Sequence, residues 1–213
     1  MRKPRRLTTE ELAPWCWEMP REAGERIDWT AFFNKSNPVE IEVGMGKGLF
    51  LLTQAQARPD VNFFGIEVVR KYQLYAATRF AIRHLPNVKT CCADAKRVLH
   101  HFVLPASVAA LHVLFPDPWW KKRHRKRRVF TPEFAADAAR VLAPGGKLHI
   151  ASDVEEYFGV MTAIVRAMPE FREMESSTSR EPVEVAGFQT NFERKARLHG
   201  TPVWSAVFRR EAG

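Results

Sequence analysis

Residues 39–48 read VEIEVGMGKG, and this stretch decides the fold. It opens with alternating Val, Ile and Glu, a composition typical of a short strand. Glycines then follow at positions 44, 46 and 48, where the absence of side chains permits a tight turn. A helical pattern begins directly afterwards. The stretch therefore predicts a strand, a glycine-rich loop and the start of a helix.

The same alternation of strand and helix recurs along the chain. Besides residues 39–43, strands are predicted at residues 63–68, 88–93, 109–115, 147–152 and around 203–209. Helices are predicted at residues 48–57, 70–84, 95–102, 131–143 and 154–168. Such an order indicates an α/β fold in which a mostly parallel sheet carries helices on both faces. The last strand is expected to close the sheet.

The chain length of 213 residues suits one globular domain, and a hydrophobic content of 46% supplies a sizeable core. We interpret residues 1–26 as a basic N-terminal tail and lead-in, and residues 27–213 as the domain. Residues 176–200 are polar and interrupted by Gly and Pro, which predicts a long loop of the kind that often carries function.

Composition narrows the classes of partner. No apolar segment approaches the roughly 20 residues that span a bilayer, so no membrane attachment is expected. The formal net charge is +9 and the sequence pI is about 9.8, which favours nucleic acid as a partner. Three cysteines without a CxxC pattern predict no metal site and no disulfide, and suit a reducing cytoplasm.

Three acidic residues lie at the carboxyl ends of three successive predicted strands: Glu42, Glu67 and Asp94. The carboxyl ends of parallel strands form the ligand-binding edge of open α/β sheets, and an acid there can accept ribose hydroxyls. The glycines would let a ligand approach the backbone, although their GxGxG spacing differs from the GxGxxG of dinucleotide-binding loops. Asp94 could alternatively cap the following helix. Together these residues favour a nucleoside-bearing cofactor.

Residues 114–128 read LFPDPWWKKRHRKRR and combine an acid with a dense basic run. Asp117 lies between two prolines after the fourth strand, so its backbone is restricted. Residues 121–128 hold seven Lys or Arg and one His. Trp119 and Trp120 could stack on a nucleic-acid base or be buried in an apolar cluster. The pattern indicates a loop that binds a polyanion beside an active-site acid.

These motifs, with ASD at residues 151–153 and TNFE at residues 190–193, resemble the bacterial tRNA (guanine-N7-)-methyltransferase family. The resemblance extends from about Ile27 to Arg210. It implies a Rossmann-like class I methyltransferase that uses S-adenosylmethionine and modifies guanine 46 in the tRNA variable loop. Trp120 is a departure, because Pro or His is more usual there.

The resemblance also implies roles for individual residues. Asp117 is the implied catalytic residue. The cofactor site, including the glycines identified above, comprises Glu42, Gly44, Gly46, Gly48, Glu67, Asp94 and Asp117. The implied substrate-binding residues are Lys121, Asp153, Thr190, Asn191, Phe192 and Glu193. The implied RNA-binding residues are Arg123, His124, Arg125, Lys126, Arg127 and Arg128. From the residues alone, Asp153 could instead be a helix cap and Glu193 a surface acid.

Two other functions remain open at this level. Pro116 to Trp119 is close to the (D/N)PP(Y/F/W) motif of enzymes that methylate amino groups of adenine, cytosine or glutamine, but here Asp117 separates the prolines. A non-catalytic RNA-binding protein would bind no cofactor, and the four strand-end acids argue against it. The sequence is compatible with either a monomer or a homodimer.

Overall fold

The computed structural model describes residues 7–179 and 201–212. The strands within these ranges are β1 (Cys16–Trp17), β2 (Val39–Val43), β3 (Asn62–Glu67), β4 (Val88–Cys92), β5 (Val108–Leu114), β6 (Leu142–Ser152), β7 (Phe171–Ser179) and β8 (Val203–Arg210). The α-helices are α1 (Thr9–Leu12), α2 (Trp29–Phe33), α3 (Leu49–Ala57), α4 (Arg70–Ile82), α5 (Ala95–Phe102), α6 (Pro132–Val141) and α7 (Glu155–Arg166). Short 3-10 helices span Ala13–Trp15 and Lys122–Arg127.

The sheet has the order β1-β4-β3-β2-β5-β6-β8-β7. Strands β1 to β6 pair in parallel, whereas β8 runs antiparallel to both β6 and β7. Helices α3 and α4 pack on one face and α5, α6 and α7 on the other. The predicted mostly parallel α/β sheet with helices on both faces is therefore confirmed.

Strand β7 was not predicted, and it corrects two expectations. β8 does not close the sheet, because it lies between β6 and β7. Residues 176–179 belong to β7, while residues 180–200 lie outside the described part of the chain. The sequence of β7, FREMESSTS, is mostly polar because an edge strand packs only partly against the core, so it lacks the apolar run that marks the inner strands.

The lead-in to the domain is itself built into the sheet. Strand β1 pairs with β4, and Trp17 packs edge-on against Phe64 and Phe102 at centroid distances of 5.9 and 5.6 Å. The indole nitrogen of Trp15 donates to the carbonyl of Leu85 at 2.7 Å. The predicted division between residues 1–26 and 27–213 would therefore leave β1, an edge strand of the sheet, outside the domain.

Strand β2 is buried along its whole length although two of its five residues are glutamates. Val39, Ile41 and Val43 pack into the larger hydrophobic core, so alternation along the strand directs the glutamates toward α3. Glu40 accepts two hydrogen bonds from the Arg58 guanidinium at 2.7 and 2.9 Å, and Nε2 of His112 lies 2.9 Å from one of the same carboxylate oxygens. Burial opposes ionisation, but the hydrogen bonds from His112 and Arg58 outweigh it and lower the pKa of Glu40 to about 2.

Candidate active site

The structure brings four sequence-predicted acids to one edge of the sheet. Strands β4, β3, β2 and β5 are parallel neighbours, so their carboxyl ends are aligned. Glu42 and Glu67 lie at the ends of β2 and β3, and Asp94 and Asp117 follow β4 and β5. This acidic edge is where open α/β sheets bind their ligands.

Glu42 is the most informative of these acids. Its side chain is buried, with 4% of its surface exposed, and Oε2 has no hydrogen-bond partner among the described residues. Burial, and secondarily the negative charge of Glu67, raises its pKa to about 8. Because an unsatisfied buried polar group is costly, Glu42 is suited to a ligand that supplies a donor or a positive charge.

Glu67 holds the glycine loop in place. Its Oε2 accepts a hydrogen bond from the amide of Gly46 at 2.9 Å, and its Oε1 accepts one from the amide of Val69 at 2.8 Å. An ionised carboxylate offers about four acceptor positions, so these bonds leave room for further donors. Glu67 can thus fix the loop and accept hydrogen bonds from a ligand at the same time.

The three loop glycines have different roles. Gly44 and Gly46 have φ angles of +74° and +54°, and a Cβ added at either position would meet no atom of the described residues within 4 Å. Both therefore leave the backbone open within the described structure, and the approach of a ligand there stays a prediction. Gly48 differs, because a Cβ there would lie 2.7 Å from the Cβ of Ala76 in α4. Gly48 is buried and permits close packing of α3 against α4, while its expected contact with a ligand stays a prediction.

A further glycine, Gly65 in β3, has a role that the sequence analysis missed. A Cβ at this position would overlap the sulfur of Met45 and the side chain of Leu51. Gly65 therefore allows the glycine loop to pack closely over the sheet. A Gly in the middle of a β-branched and aromatic strand is the available sequence signal for such a close approach.

Asp94 caps α5, the alternative considered from sequence. Its Oδ1 accepts a hydrogen bond from the amide of Lys96 at 2.9 Å, and the residue is exposed. The cap uses one carboxylate oxygen. Its role in binding a cofactor stays a prediction, with Oδ2 as the atom suited to it.

The loop after β5 has an unusual backbone. Phe115 and Trp119 have φ angles of +53° and +43°, although neither is a glycine. Such left-handed residues are costly and concentrate at functional sites. Between them Asp117 is exposed, and its Oδ1 accepts a hydrogen bond from the amide of Trp119 at 3.1 Å. The loop thus presents the Asp117 carboxylate at the acidic edge.

Arg128, at the end of the basic run, is buried, with 9% of its surface exposed. Its Nε donates to the carbonyl of Pro118 at 2.7 Å, and its guanidinium carbon lies 4.5 Å from the ring centre of Tyr157 in α7. The expectation that Arg128 contacts RNA is therefore corrected. Its contacts tie the Asp117 loop to α7.

The rest of the basic run is more accessible. Arg127 is exposed, with its guanidinium carbon 4.9 Å from the ring centre of Trp119, and His124 contacts the same ring edge-on at 5.7 Å. Trp120 is 62% exposed. The other exposed cations of the run are Lys121, Arg123 and Lys126. The side chain of Arg125 lies outside the described part of the structure.

Of the remaining residues predicted to bind substrate, the structure describes Asp153 but not the segment 190–193. Asp153 is exposed after β6, and the N-cap of α7 is Val154, so Asp153 is not the helix cap. Ser152 supplies a local hydrogen bond instead, because its Oγ accepts from the amide of Val154 at 3.0 Å. Thr190, Asn191, Phe192 and Glu193 lie outside the described residues.

The acidic edge fits S-adenosylmethionine. Oε2 of the buried Glu42 lacks a hydrogen-bond partner within residues 7–179 and 201–212, and the cofactor carries positive charge. The open backbone at Gly44 and Gly46 allows close approach. Within the same ranges there is no group of three or more His, Cys, Asp or Glu able to hold a metal ion. No helix there is long and apolar enough to cross a membrane.

Comparison with known proteins identifies the class. A family model described as "Putative methyltransferase" matches residues 36–206. The 16S rRNA methyltransferase KamB superposes with a TM-score of 0.66 at 20% identity, covering 90% of this chain and 97% of that one. A mutant 16S rRNA (adenine(1408)-N(1))-methyltransferase of Catenulisporales acidiphilia, with cosubstrate SAM, gives a TM-score of 0.61 at 16% identity, covering 87% and 91%. The fold and site define a class I S-adenosylmethionine-dependent methyltransferase.

Sequence relatives narrow this class to a family. The tRNA (guanine-N(7)-)-methyltransferase of Rhodopirellula baltica is 38% identical over 95% of this chain and 76% of that protein. The corresponding protein of Aliivibrio salmonicida is 35% identical over 100% of this chain and 91% of its own length. The chain belongs to the bacterial tRNA (guanine-N7-)-methyltransferase family, as its motifs indicated.

Proposed function

We propose that this protein transfers the methyl group of S-adenosylmethionine to N7 of guanine 46 in the variable loop of tRNA. The observation that carries the proposal is the partnerless Oε2 of the buried Glu42, next to an open glycine loop and on the same edge of the described structure as the exposed Asp117. The Glu42 carboxyl indicates a cationic cofactor, and Asp117 indicates that the reacting group binds beside it. Family membership supplies the substrate class, and we expect the reaction to take place in the cytoplasm.

Glu42, Glu67 and Asp94 would hold the cofactor, together with the backbone at Gly44 and Gly46. When bound, S-adenosylmethionine supplies a methyl group on a positively charged sulfur. The acids of the edge complement that charge, and Glu67 fixes the glycine loop through the amide of Gly46. The preformed hydrogen bond lowers the entropy lost on binding.

Asp117 would act on the guanine. N7 already carries a lone pair, so the enzyme needs no base to deprotonate it. The residues must instead orient N7 toward the methyl group, an effect that can contribute about 7–11 kcal/mol in favourable systems. Positive charge builds up on the purine as the bond forms, and the Asp117 carboxylate would stabilise it electrostatically.

The remaining residues would recognise the base and the RNA. Guanine N1–H and its exocyclic amine are donors, which makes Asp153 and Glu193 suitable partners. Lys121 would contact O6 or a phosphate. Exposed cations of the basic run, namely Arg123, Lys126 and Arg127, would contact phosphates and favour binding through counterion release.

Nucleoside analysis tests this function. Unmodified tRNA transcripts would be incubated with the protein and methyl-labelled S-adenosylmethionine, then digested to nucleosides. We expect label in 7-methylguanosine, and no label in a transcript with adenine at position 46. Label in methyladenosine, or none with protein that binds S-adenosylhomocysteine, would contradict the proposal.

A further inference from the structure

The exposed side of α4 carries a second concentration of cations and aromatic rings. The helix reads RKYQLYAATRFAI and contains no acid. Tyr72 and Tyr75 expose 40% and 53% of their surface. We define the α4 surface as these two tyrosines together with Lys47, Arg70, Lys71, Arg79 and Arg83. Two large exposed rings among five cations are not explained by packing, because neither ring belongs to a hydrophobic core formed by the described residues.

The α4 surface is preorganised by the glycine loop. The Lys47 ammonium lies 6.0 Å from the ring centre of Tyr72 and 5.7 Å from that of Tyr75. The Arg79 guanidinium donates to the carbonyl of Lys47 at 3.0 Å. Beneath them, Gly48 packs closely on Ala76. The rings are therefore held beside the loop that belongs to the cofactor site.

The position of this surface relates it to the basic run. Helix α4 follows β3 and the Asp117 loop follows β5, and these strands flank β2. Strand spacing places the two strand ends about 10 Å apart. Arg128 links the basic run to α7, which packs on the face opposite α4. The positive charges of the α4 surface and of the basic run therefore lie on opposite sides of the acidic edge.

We propose that the α4 surface is a second RNA-contacting surface, on which Tyr72 and Tyr75 stack against unpaired bases while the neighbouring cations contact phosphates. Exposed rings beside Lys and Arg are the combination that binds unpaired nucleotides. Within the described structure Arg70 approaches an acid, Glu18, at 3.6 Å, and both side chains are substantially exposed. The net positive charge favours a polyanion over a protein partner. This inference rests on the proposed function, which supplies tRNA as the substrate.

Three double variants test the surface, each assayed with fluorescently labelled unmodified tRNA across a salt series. Tyr72→Ala with Tyr75→Ala should weaken tRNA binding by about 5- to 150-fold for each ring that stacks on a base. Tyr72→Phe with Tyr75→Phe keeps the rings and should restore binding to within about twofold, since stacking needs no hydroxyl. Lys71→Ala with Arg83→Ala should reduce the slope of log affinity against log salt by about 1 per phosphate contact.

The matched control is Arg172→Ala. Arg172 is an exposed cation at the start of β7, on the edge of the sheet opposite the site, and should leave the slope unchanged. Calorimetry with S-adenosylmethionine should show the same affinity for the Tyr-to-Ala variant as for the wild type. A loss confined to cofactor affinity would overturn the inference and assign the tyrosines to the cofactor site.

The failure of this inference is distinguishable from failure of the proposed function. If wild type forms 7-methylguanosine and the Tyr-to-Ala variant binds tRNA with unchanged affinity, the α4 surface is not an RNA surface and the function stands. If the wild type neither binds nor methylates tRNA, both are overturned.

Discussion

The amide nitrogen of Gly46 lies 2.9 Å from Oε2 of Glu67, so the last residue of β3 fixes the loop that follows β2. The other carboxylate oxygen accepts from the amide of Val69. One side chain thus organises two neighbouring strand ends. Its removal should change the cofactor site even where Glu67 makes no direct contact with a ligand.

We expect Glu67→Ala to weaken S-adenosylmethionine binding by about 1.5–3 kcal/mol, the cost of losing a charge-assisted hydrogen bond. Glu67→Gln, which keeps one carbonyl acceptor, should lose less. Calorimetry measures both affinities, and circular dichroism checks the fold. If a folded Glu67→Ala protein binds S-adenosylmethionine with unchanged affinity, Glu67 does not contribute to the cofactor site.

Glu42 should make cofactor binding depend on pH. Its pKa of about 8 in the free protein means that it is mostly protonated at pH 7, and a bound cation would favour ionisation. Binding should then release a proton from Glu42, and affinity should rise with pH and level off above about 8. The cofactor's own amine also titrates, with an ordinary pKa of about 7.7–8.0. Glu42→Gln is therefore the control.

Calorimetry at pH 7 in buffers of different ionisation enthalpy counts the protons released. Wild type should release close to one more proton than Glu42→Gln, for which only the ligand amine contributes. Equal proton release by the two proteins would show that Glu42 stays protonated in the complex.

Asp117→Asn should slow methyl transfer while tRNA binding largely survives. The change removes the negative charge but keeps the oxygen that accepts from the amide of Trp119, so the loop should retain its shape. Loss of such electrostatic stabilisation costs on the order of 10²-fold or more in rate. Single-turnover kinetics with saturating substrates measure it. A near-normal rate would rule out an electrostatic role for Asp117.

Arg127→Ala and Arg128→Ala should differ, although the two residues are adjacent. Arg127 is exposed, so its loss should reduce the salt slope of tRNA binding by about 1 and lower the free energy of unfolding by no more than about 1 kcal/mol, the size of its exposed contact with Trp119. Arg128 is buried against Pro118 and Tyr157, so its loss should lower the free energy of unfolding by about 1–3 kcal/mol. The two single variants serve as controls for each other.

Salt-dependent tRNA affinity and urea denaturation on both arginine variants separate these roles. An unaltered slope for Arg127→Ala would reject its phosphate contact. If Arg128→Ala instead reduces the salt slope of tRNA binding and leaves the free energy of unfolding unchanged, Arg128 contacts RNA.

Glu40→Gln should destabilise the core by about 3–5 kcal/mol near neutral pH, the typical cost of breaking a buried ion pair. Because the pKa of Glu40 is lowered from 4.5 to about 2, its contribution is present above pH 4.5 and is lost as pH falls toward 2. The stability difference between wild type and variant, measured by urea denaturation, should shrink over that window. A difference independent of pH would mean that the lost stability is not due to ionised Glu40.

The sequence by itself determined the alternation of strands and helices and the order of the acids at the strand ends. Strand β2 and helix α5 have the predicted bounds, because hydrophobic patterning and turn residues act within a few positions. The parallel arrangement followed, since strands joined by helices must cross over. The motifs then identified the family.

Only the tertiary structure decided which of these residues are taken up in packing contacts and which stay open at the acidic edge. Gly48 meets Ala76 and Arg128 meets Tyr157, contacts between residues far apart in the chain that no local pattern contains. Strand β7 was missed because an edge strand needs no apolar run. The α4 surface was likewise invisible, because Lys47 reaches Tyr72 and Tyr75 only when the glycine loop packs against α4. Packing brings distant segments of the chain into contact, and it therefore determines which residues are buried and which are exposed. Local periodicity in the sequence does not contain this information.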